Sequence, residues 1–267
     1  MDLHELERDL EAGRSLVSAA KRIVVLTGAG ISAESGVPTF RGPEGVWRHY
    51  RPEELSTPAA FARDPRLVWE WNAWRRERIV RCEPNAAHLA LAAWALRRPG
   101  VRILTQNVDG LHGIAAVMVA GDRPPTPALP LELHGSIFHV RCTLCRTRIE
   151  HRDKIDVSSE GSLPRCSDCG ALLRPDTVWF GEPLDPDAIH QAFDEAAKAD
   201  LCLVIGTSGE VQPTATLPRV TQANGGAVIE INPEPTPLSA HAEISLRASA
   251  TSAVPALVGG PNFSRNA

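Results

Sequence analysis

Four cysteines fall in two Cys-x-x-Cys pairs, Cys142/Cys145 and Cys166/Cys169, with 20 residues between the pairs. Thiolates at this spacing close a tetrahedral Zn²⁺ site, and four sulfurs leave no open position for a substrate. Such an ion staples a segment too short and polar to fold alone. Cys82 and Cys202 stand apart, so cysteine usage points to metal in a reducing compartment and away from a disulfide framework.

A second constellation is Gly28, Gly30 and Ala33, directly after the apolar run Ile23 to Leu26. Gly-x-Gly-x-x-Ala at a strand end lets backbone N–H groups approach a pyrophosphate. A nicotinamide dehydrogenase would add an acidic ribose clamp about 20 residues on. The acids near that distance, Glu53 and Glu54, lie in a Pro- and Arg-containing segment without strand pattern. The turn instead runs into Phe40 and Arg41, an aromatic plate and a permanent cation flanked by Gly36, Gly42 and Gly45. That composition suits a mobile ligand loop.

Other polar groups follow short apolar runs. Gln106-Asn107-Val108-Asp109-Gly110 follows Val101 to Thr105, and Gly206-Thr207-Ser208-Gly209 follows Leu201 to Ile205. Asn232-Pro233-Glu234 follows Ala227 to Ile231. Open α/β sheets bind ligands just past the carboxyl ends of their strands. His134 stands before Gly135 at the end of another apolar patch, and an imidazole with a pKa near about 6.5 suits a general base. Asn72 and Arg75 are three apart on an expected helix and share one face.

The elements that must position these groups alternate in type. Helices are expected over 2–20 with a break near Gly13, from Arg63-Asp64-Pro65 to about residue 81, over 84–98, and from Asp187 to Lys198. Another helix should follow Pro213. Short apolar strands lie between them, with a last strand over Ser245–Ala250 and a helix over Val254–Val258. The Trp-rich run Trp69 to Trp74 is expected to face a core. From Gly113 to Pro130 the proline-rich chain suggests an exposed, disordered loop, and the tail after Gly259 suggests fraying.

With 267 residues, 43% hydrophobic and 22% charged, the chain suits one large domain with an insertion, or two lobes. A net charge of −4 gives no nucleic-acid signal, and no apolar run is long enough to span a bilayer. A cytoplasmic protein without direct nucleic-acid or membrane binding is expected.

Taken in order, the motifs resemble those of the sirtuins, the family of NAD-dependent protein lysine deacylases. The carriers are Gly28-Ala29-Gly30-Ile31-Ser32, Pro38-Thr39-Phe40-Arg41-Gly42, Thr105 to Asp109, Leu133-His134-Gly135, the cysteine pairs, Phe180-Gly181-Glu182, Gly206 to Ser208 and Ile231 to Glu234. The likeness implies an α/β fold: a Rossmann-like parallel sheet domain with a small lobe of helical insertion and four-cysteine zinc ribbon. The large lobe would be about 1–42, 82–138 and 176–260, the helical insertion 43–81 and the zinc insertion 139–175. It further implies that Gly28, Ala29, Gly30 and Ser32 cradle the NAD pyrophosphate and that Phe40 and Arg41 cover the nicotinamide end. Gln106, Asn107, Val108 and Asp109 would hold ribose and nicotinamide, with His134 as base on that ribose. Gly206, Thr207, Ser208, Asn232, Pro233, Glu234 and Ala250 would hold the adenosine half. Phe180, Gly181, Glu182 and Val211 would bind the substrate peptide as an added strand.

The partners implied are acylated lysine side chains of other proteins. The acyl group passes to ADP-ribose and nicotinamide leaves. Thr39 resembles the bacterial and mitochondrial class that removes acidic acyl groups. That class carries Tyr-x-x-Arg where this chain has Asn72 and Arg75. Desuccinylation or demalonylation is therefore a further expectation. Mono-ADP-ribosyl transfer, an NAD dehydrogenase and a zinc-ribbon binding module are the alternatives.

Overall fold

The computed structural model describes residues 3–38 and 52–260. Phe40 and Arg41 lie outside the described residues, as do Thr39 and the tail from 261 to 267.

The chain runs α1 (Leu3–Ala19), β1 (Ile23–Thr27), a 3-10 turn (Ala29–Ser35), α2 (Pro52–Leu55), α3 (Pro58–Arg63), α4 (Pro65–Ile79), α5 (Ala86–Arg97), β2 (Val101–Thr105), α6 (Leu111–Ala120), β3 (Leu131–Glu132), β4 (Gly135–Cys142), β5 (Arg148–Glu150), β6 (Leu173–Thr177), α7 (Pro186–Lys198), β7 (Leu201–Ile205), α8 (Leu217–Ala223), β8 (Ala227–Ile231), β9 (Ile244–Leu246) and α9 (Ala250–Val258). Six of the described strands form a parallel sheet ordered β3-β2-β1-β7-β8-β9. Every residue of β1 and β7 is buried, which explains their unbroken apolar runs. Residues of α1, α5, α6 and α9 pack in one core with the sheet, and α7 and α8 supply the other. The chain leaves β1 for β2 and β3 and returns through β7 on the opposite side of β1. The strand order therefore switches at β1/β7, where a crevice opens at the carboxyl ends.

A second sheet, β5-β4-β6, is antiparallel. It shares a core with the helical insertion: Phe61, Val68 and Trp69 pack with Val140, Leu173, Trp179, Cys142 and Cys166. Trp69 is fully buried and its indole N–H donates to the Leu173 carbonyl at 3.0 Å. The Trp71 ring carries the Arg75 guanidinium at 4.7 Å from its centroid, while Trp74 is 41% exposed and lies under Arg78. The tryptophan run is therefore not a uniform core stripe.

Several expectations need correction. The stretch 113–130 is not a loop throughout. α6 occupies Leu111–Ala120, and Leu111, Ala115, Ala116 and Ala120 are buried at near-helical spacing. Only the residues after Gly121 connect, with a short 3-10 turn at Thr126–Ala128. α1 passes through Gly13 without a break, because a Cβ there would meet Leu257 Cδ1 at 2.8 Å and the glycine admits close packing of α9. α5 starts at Ala86 and is capped by Asn85, two residues after the expected start. Ala250 opens α9 and does not close a strand; β9 ends at Leu246.

Candidate active site

The polar groups expected at strand ends do gather along the crevice side of the sheet. Gln106 Nε2 donates to Thr207 Oγ1 at 3.1 Å, and its Oε1 accepts from Thr214 Oγ1 at 3.0 Å. Asn232 Nδ2 donates to the Thr207 carbonyl at 2.9 Å. The ends of β2, β7 and β8 are thus tied into one rim. The glycines of the first turn have a reason beyond ligand approach. A Cβ on Gly28 or on Gly30 would stand 2.8 Å from the Gly206 carbonyl oxygen. The two turns therefore interlock, and Gly206 itself takes φ +61.

Ser32 faces inward and is fully buried. Its hydroxyl donates to Asp109 Oδ2 at 2.8 Å and accepts from Asn107 Nδ2 at 3.2 Å. Asp109 Oδ1 takes the N–H of Leu111, the first residue of α6, at 2.9 Å. Burial pushes the Asp109 carboxyl up, while those two donors and the nearby Arg75 pull it back. Asn107 and Asp109 are both buried, so few bulk waters compete for them.

His134 Nδ1 lies 3.0 Å from the Gln106 carbonyl oxygen. A carbonyl only accepts, so Nδ1 carries the proton and Nε2 holds the free lone pair. Burial holds the imidazole below its usual range, partly offset by that hydrogen bond. Gly135, at φ +74, lets β4 pass β6 so closely that a Cβ would fall 2.1 Å from the Asp176 carbonyl oxygen. The catalytic candidate is therefore seated by a position that only glycine fits.

On α4, Arg75 is buried and its pKa is lowered to about 10 by desolvation, with Asp109 acting in the opposite sense. Glu70 pairs with Arg66 at 2.9 Å and Glu77 with Lys154 at 3.2 Å. Asn72 donates an amide N–H to the Val68 carbonyl at 2.8 Å, and its buried Oδ1 has no hydrogen-bond partner among the described residues. Phe180 is 51% exposed and Gly181 takes φ +82. Glu182 turns inward onto Arg174 at 2.5 Å. Ala250 is buried in the first turn of α9, beside the turn that carries Ser32.

The four cysteine sulfurs lie within 4.8 Å of one another. Cys142 and Cys169 are 3.4 Å apart and Cys145 and Cys166 3.6 Å. A tetrahedron with Zn–S of about 2.3 Å requires S···S near roughly 3.8 Å, so the donor set fits zinc.

Sequence reasoning missed a buried layer below the site. His88 Nε2 is 3.3 Å from Ser32 Oγ, and its Nδ1 engages Asn85. His112 Nε2 is 2.9 Å from Thr27 Oγ1, which donates to Thr105 Oγ1 at 2.8 Å. Burial lowers His88 to about 4 and His112 well below its usual value, so both stay neutral. Isolated histidines on apolar helices carry no spacing signal. Asn85-x-x-His88 was readable as a capping box, and a cap explains the local pair but not its contact with Ser32. Glu132, pushed up to about 7 by burial and by Asp109, was also unmarked.

Residues 28–213 match the model of the Sir2 family. The chain belongs to the Sir2 family. It is 48% identical to NAD-dependent protein deacylase 1 of Archaeoglobus fulgidus over 91% of this chain and 94% of the relative. The NAD-dependent protein deacylase of Pyrococcus furiosus is 47% identical, again over 91% and 94%. Among solved structures, a Sir2 homologue in complex with NAD superposes with TM-score 0.83 at 46% identity, covering 93% of this chain and 92% of the other. A Sir2 variant with a deacetylated p53 peptide and 3′-O-acetyl-ADP-ribose gives 0.80 at 29%, covering 93% and 96%. Among the described residues no helix of this Sir2 protein is long and apolar enough to cross a membrane.

Proposed function

We infer that this chain is an NAD-dependent protein lysine deacylase that passes the acyl group to ADP-ribose and releases nicotinamide. The observation that carries the reading is His134, its Nδ1 committed to the Gln106 carbonyl and its Nε2 left basic, at the rim that joins β2, β7 and β8. The rim fits a dinucleotide: the turns at Gly28–Gly30 and Gly206 interlock too closely for any Cβ, and their N–H groups donate to the Ile205, Gly206 and Ile231 carbonyls, which holds a flat glycine floor in place for the phosphates. When bound, NAD supplies an electrophilic ribose carbon for the acyl oxygen. Gly28, Ala29, Gly30 and Ser32 would hold the phosphates, Ser32 from the buried side through Asp109 and Asn107. Gln106, Asn107, Val108 and Asp109 would orient the nicotinamide ribose. Gly206, Thr207, Ser208, Asn232, Pro233, Glu234 and Ala250 would hold the adenosine half. His134 Nε2 would accept a proton from a ribose hydroxyl, and its lowered pKa keeps it available as a base. Phe180, Gly181 and Val211 would take the substrate peptide as an added strand.

In this reading the large lobe is about 1–42, 82–138 and 176–260, and the insertions 43–81 and 139–175 make the small lobe. The deacylase names of the relatives and the acetyl-ADP-ribose held by a neighbour favour acyl transfer over mono-ADP-ribosylation. Mass spectrometry of an acetyl-lysine peptide incubated with and without NAD tests the reading. Loss of the acetyl mass only with NAD supports it, and NAD-independent loss or none overturns it.

A second reading concerns acyl choice: Arg75 admits succinyl- and malonyl-lysine beside acetyl-lysine. It is supported by a buried guanidinium on α4 within the electrostatic reach of Asp109, at the inner side of the candidate site.

A further inference from the structure

Glu182 is the residue of the Phe180–Glu182 ledge whose orientation does not suit contact with substrate. Its Oε1 accepts from Arg174 Nη1 at 2.5 Å, and its Oε2 accepts from Arg174 Nη2 and from the Trp179 N–H, both at 2.9 Å. Arg174 is 5% exposed. It also donates to the Thr177 carbonyl at 2.9 Å and, through Nε, to the Pro175 carbonyl at 3.2 Å. Its guanidinium lies over the Trp179 ring at 3.3 Å from the centroid. Trp179 in turn packs against Phe61 at 5.4 Å, in the core that contains Cys142 and Cys166. At the other end, the Val178 N–H donates to the His134 carbonyl at 3.0 Å, and the Phe180 N–H donates to the Ser56 carbonyl at 2.9 Å. The backbone of 178–182 is thus lashed both to the histidine and to the small lobe, with one bidentate ion pair as the fastening.

We propose that Glu182 and Arg174 are positioning residues that fix the 178–182 backbone as the edge onto which the substrate peptide adds, so that they set affinity for the peptide main chain without touching it. This rests on the deacylase reading and on peptide addition at Phe180–Gly181. Strand addition draws its affinity from main-chain hydrogen bonds; the N–H groups of Val178, Trp179, Phe180 and Glu182 are already spent within the chain, so the Gly181 N–H and the carbonyls of this turn are what the ion pair must hold in register. A bidentate Arg–carboxylate pair supplies that geometry, and a neutral amide keeps the shape while weakening it. Among the described residues, the groups proposed to hold NAD follow the carboxyl ends of β1, β2, β7 and β8 or open α9, and neither Glu182 nor Arg174 donates a hydrogen bond to them, so cofactor affinity should not follow peptide affinity.

The test is Glu182→Gln in the full chain. Peptide concentration is varied at saturating NAD, using acetyl-lysine peptides with acidic, neutral and basic flanks and the single amino acid Nε-acetyl-lysine. The expected result is a KM for every peptide raised by about 10-fold, kcat within about 3-fold and unchanged KM for NAD. The preference for peptide over Nε-acetyl-lysine should shrink correspondingly. Unchanged peptide KM overturns the proposal. A loss confined to basic peptides overturns it as well, since that marks direct contact of the carboxylate with substrate. ADP-ribose affinity by calorimetry certifies the folded variant; if Glu182→Gln does not bind it, Arg174→Lys is judged by the same criteria. A wild type that deacylates no peptide overturns the deacylase reading beneath, whereas an active wild type with an unaffected variant overturns only the positioning role.

Discussion

His134 derives its chemistry from one backbone carbonyl. Because the Gln106 oxygen can only accept, the ring is held as the tautomer with a basic Nε2. His134→Ala should abolish NAD-dependent deacylation while leaving thermal melting near wild type; turnover above about a tenth of wild type would contradict the role. Burial lowers the imidazole pKa, so the base form persists further into acid. The acidic limb of kcat/KM should therefore fall below the free-histidine value of about 6.5; a limb at or above it would argue for another group. Arg75 makes a separate prediction. A cation desolvated to a pKa of about 10 gains most from an anion brought to it. Arg75→Met should remove desuccinylation selectively and spare deacetylation. Equal loss of both, or a wild type without desuccinylation, rules out the acyl role. Asn72 weighs on the same question, because one amide N–H is spent on Val68 and, among the described residues, Oδ1 meets no donor. The spacing Asn72-x-x-Arg75 was legible before the fold; which atom of the amide stays unused depends on a backbone carbonyl one turn back and was not.

At the scale of elements, the zinc hairpins and the 178–182 ledge share one core. Cys142 and Cys166 are members of the same apolar cluster as Trp69, Leu173 and Trp179. Chelation of zinc, or Cys166→Ser, should therefore lower the melting temperature of the whole chain and raise peptide KM, since metal binding supplies the folding energy of so small a module. Metal analysis without zinc, or a cysteine variant with unchanged melting and activity, would contradict this. The ion pair of the ledge adds a pH dependence. Burial raises the Glu182 pKa, but the Arg174 donors and the Trp179 N–H outweigh it and the net shift is downward. The pair thus stabilises the fold above the unfolded carboxylate value near about 4.3 and loses that contribution as pH falls through the lower folded value. Melting of Glu182→Gln should accordingly fall less steeply in acid than that of wild type. The central parallel strands and most helices were readable from apolar runs and caps, as at β7 and at Asp64, which accepts the Leu67 N–H and opens α4, whereas β4, β5 and β6 of the small sheet were not. α6 was not, because Gly113, the prolines and Gly121 masked a helix whose stability comes from packing Ala115 and Ala116 against the core.

For the whole molecule, the topological switch at β1/β7 explains why motifs far apart in sequence converge. Residues from Gly28 to Asn232 reach one rim because every parallel strand presents its carboxyl end to the same side. The order of motifs was visible in the chain. The interlock of Gly28 and Gly30 with Gly206, and the neutral His88–His112 layer beneath Ser32, were not, since they are contacts between segments without any common spacing. Product stoichiometry tests the central claim most directly. With an acetyl-lysine peptide and NAD, liquid chromatography with mass spectrometry should find deacetylated peptide, nicotinamide and O-acetyl-ADP-ribose in equal amounts, all absent without NAD. Free acetate in place of the ADP-ribose ester, or nicotinamide released without deacetylated peptide, would contradict the account.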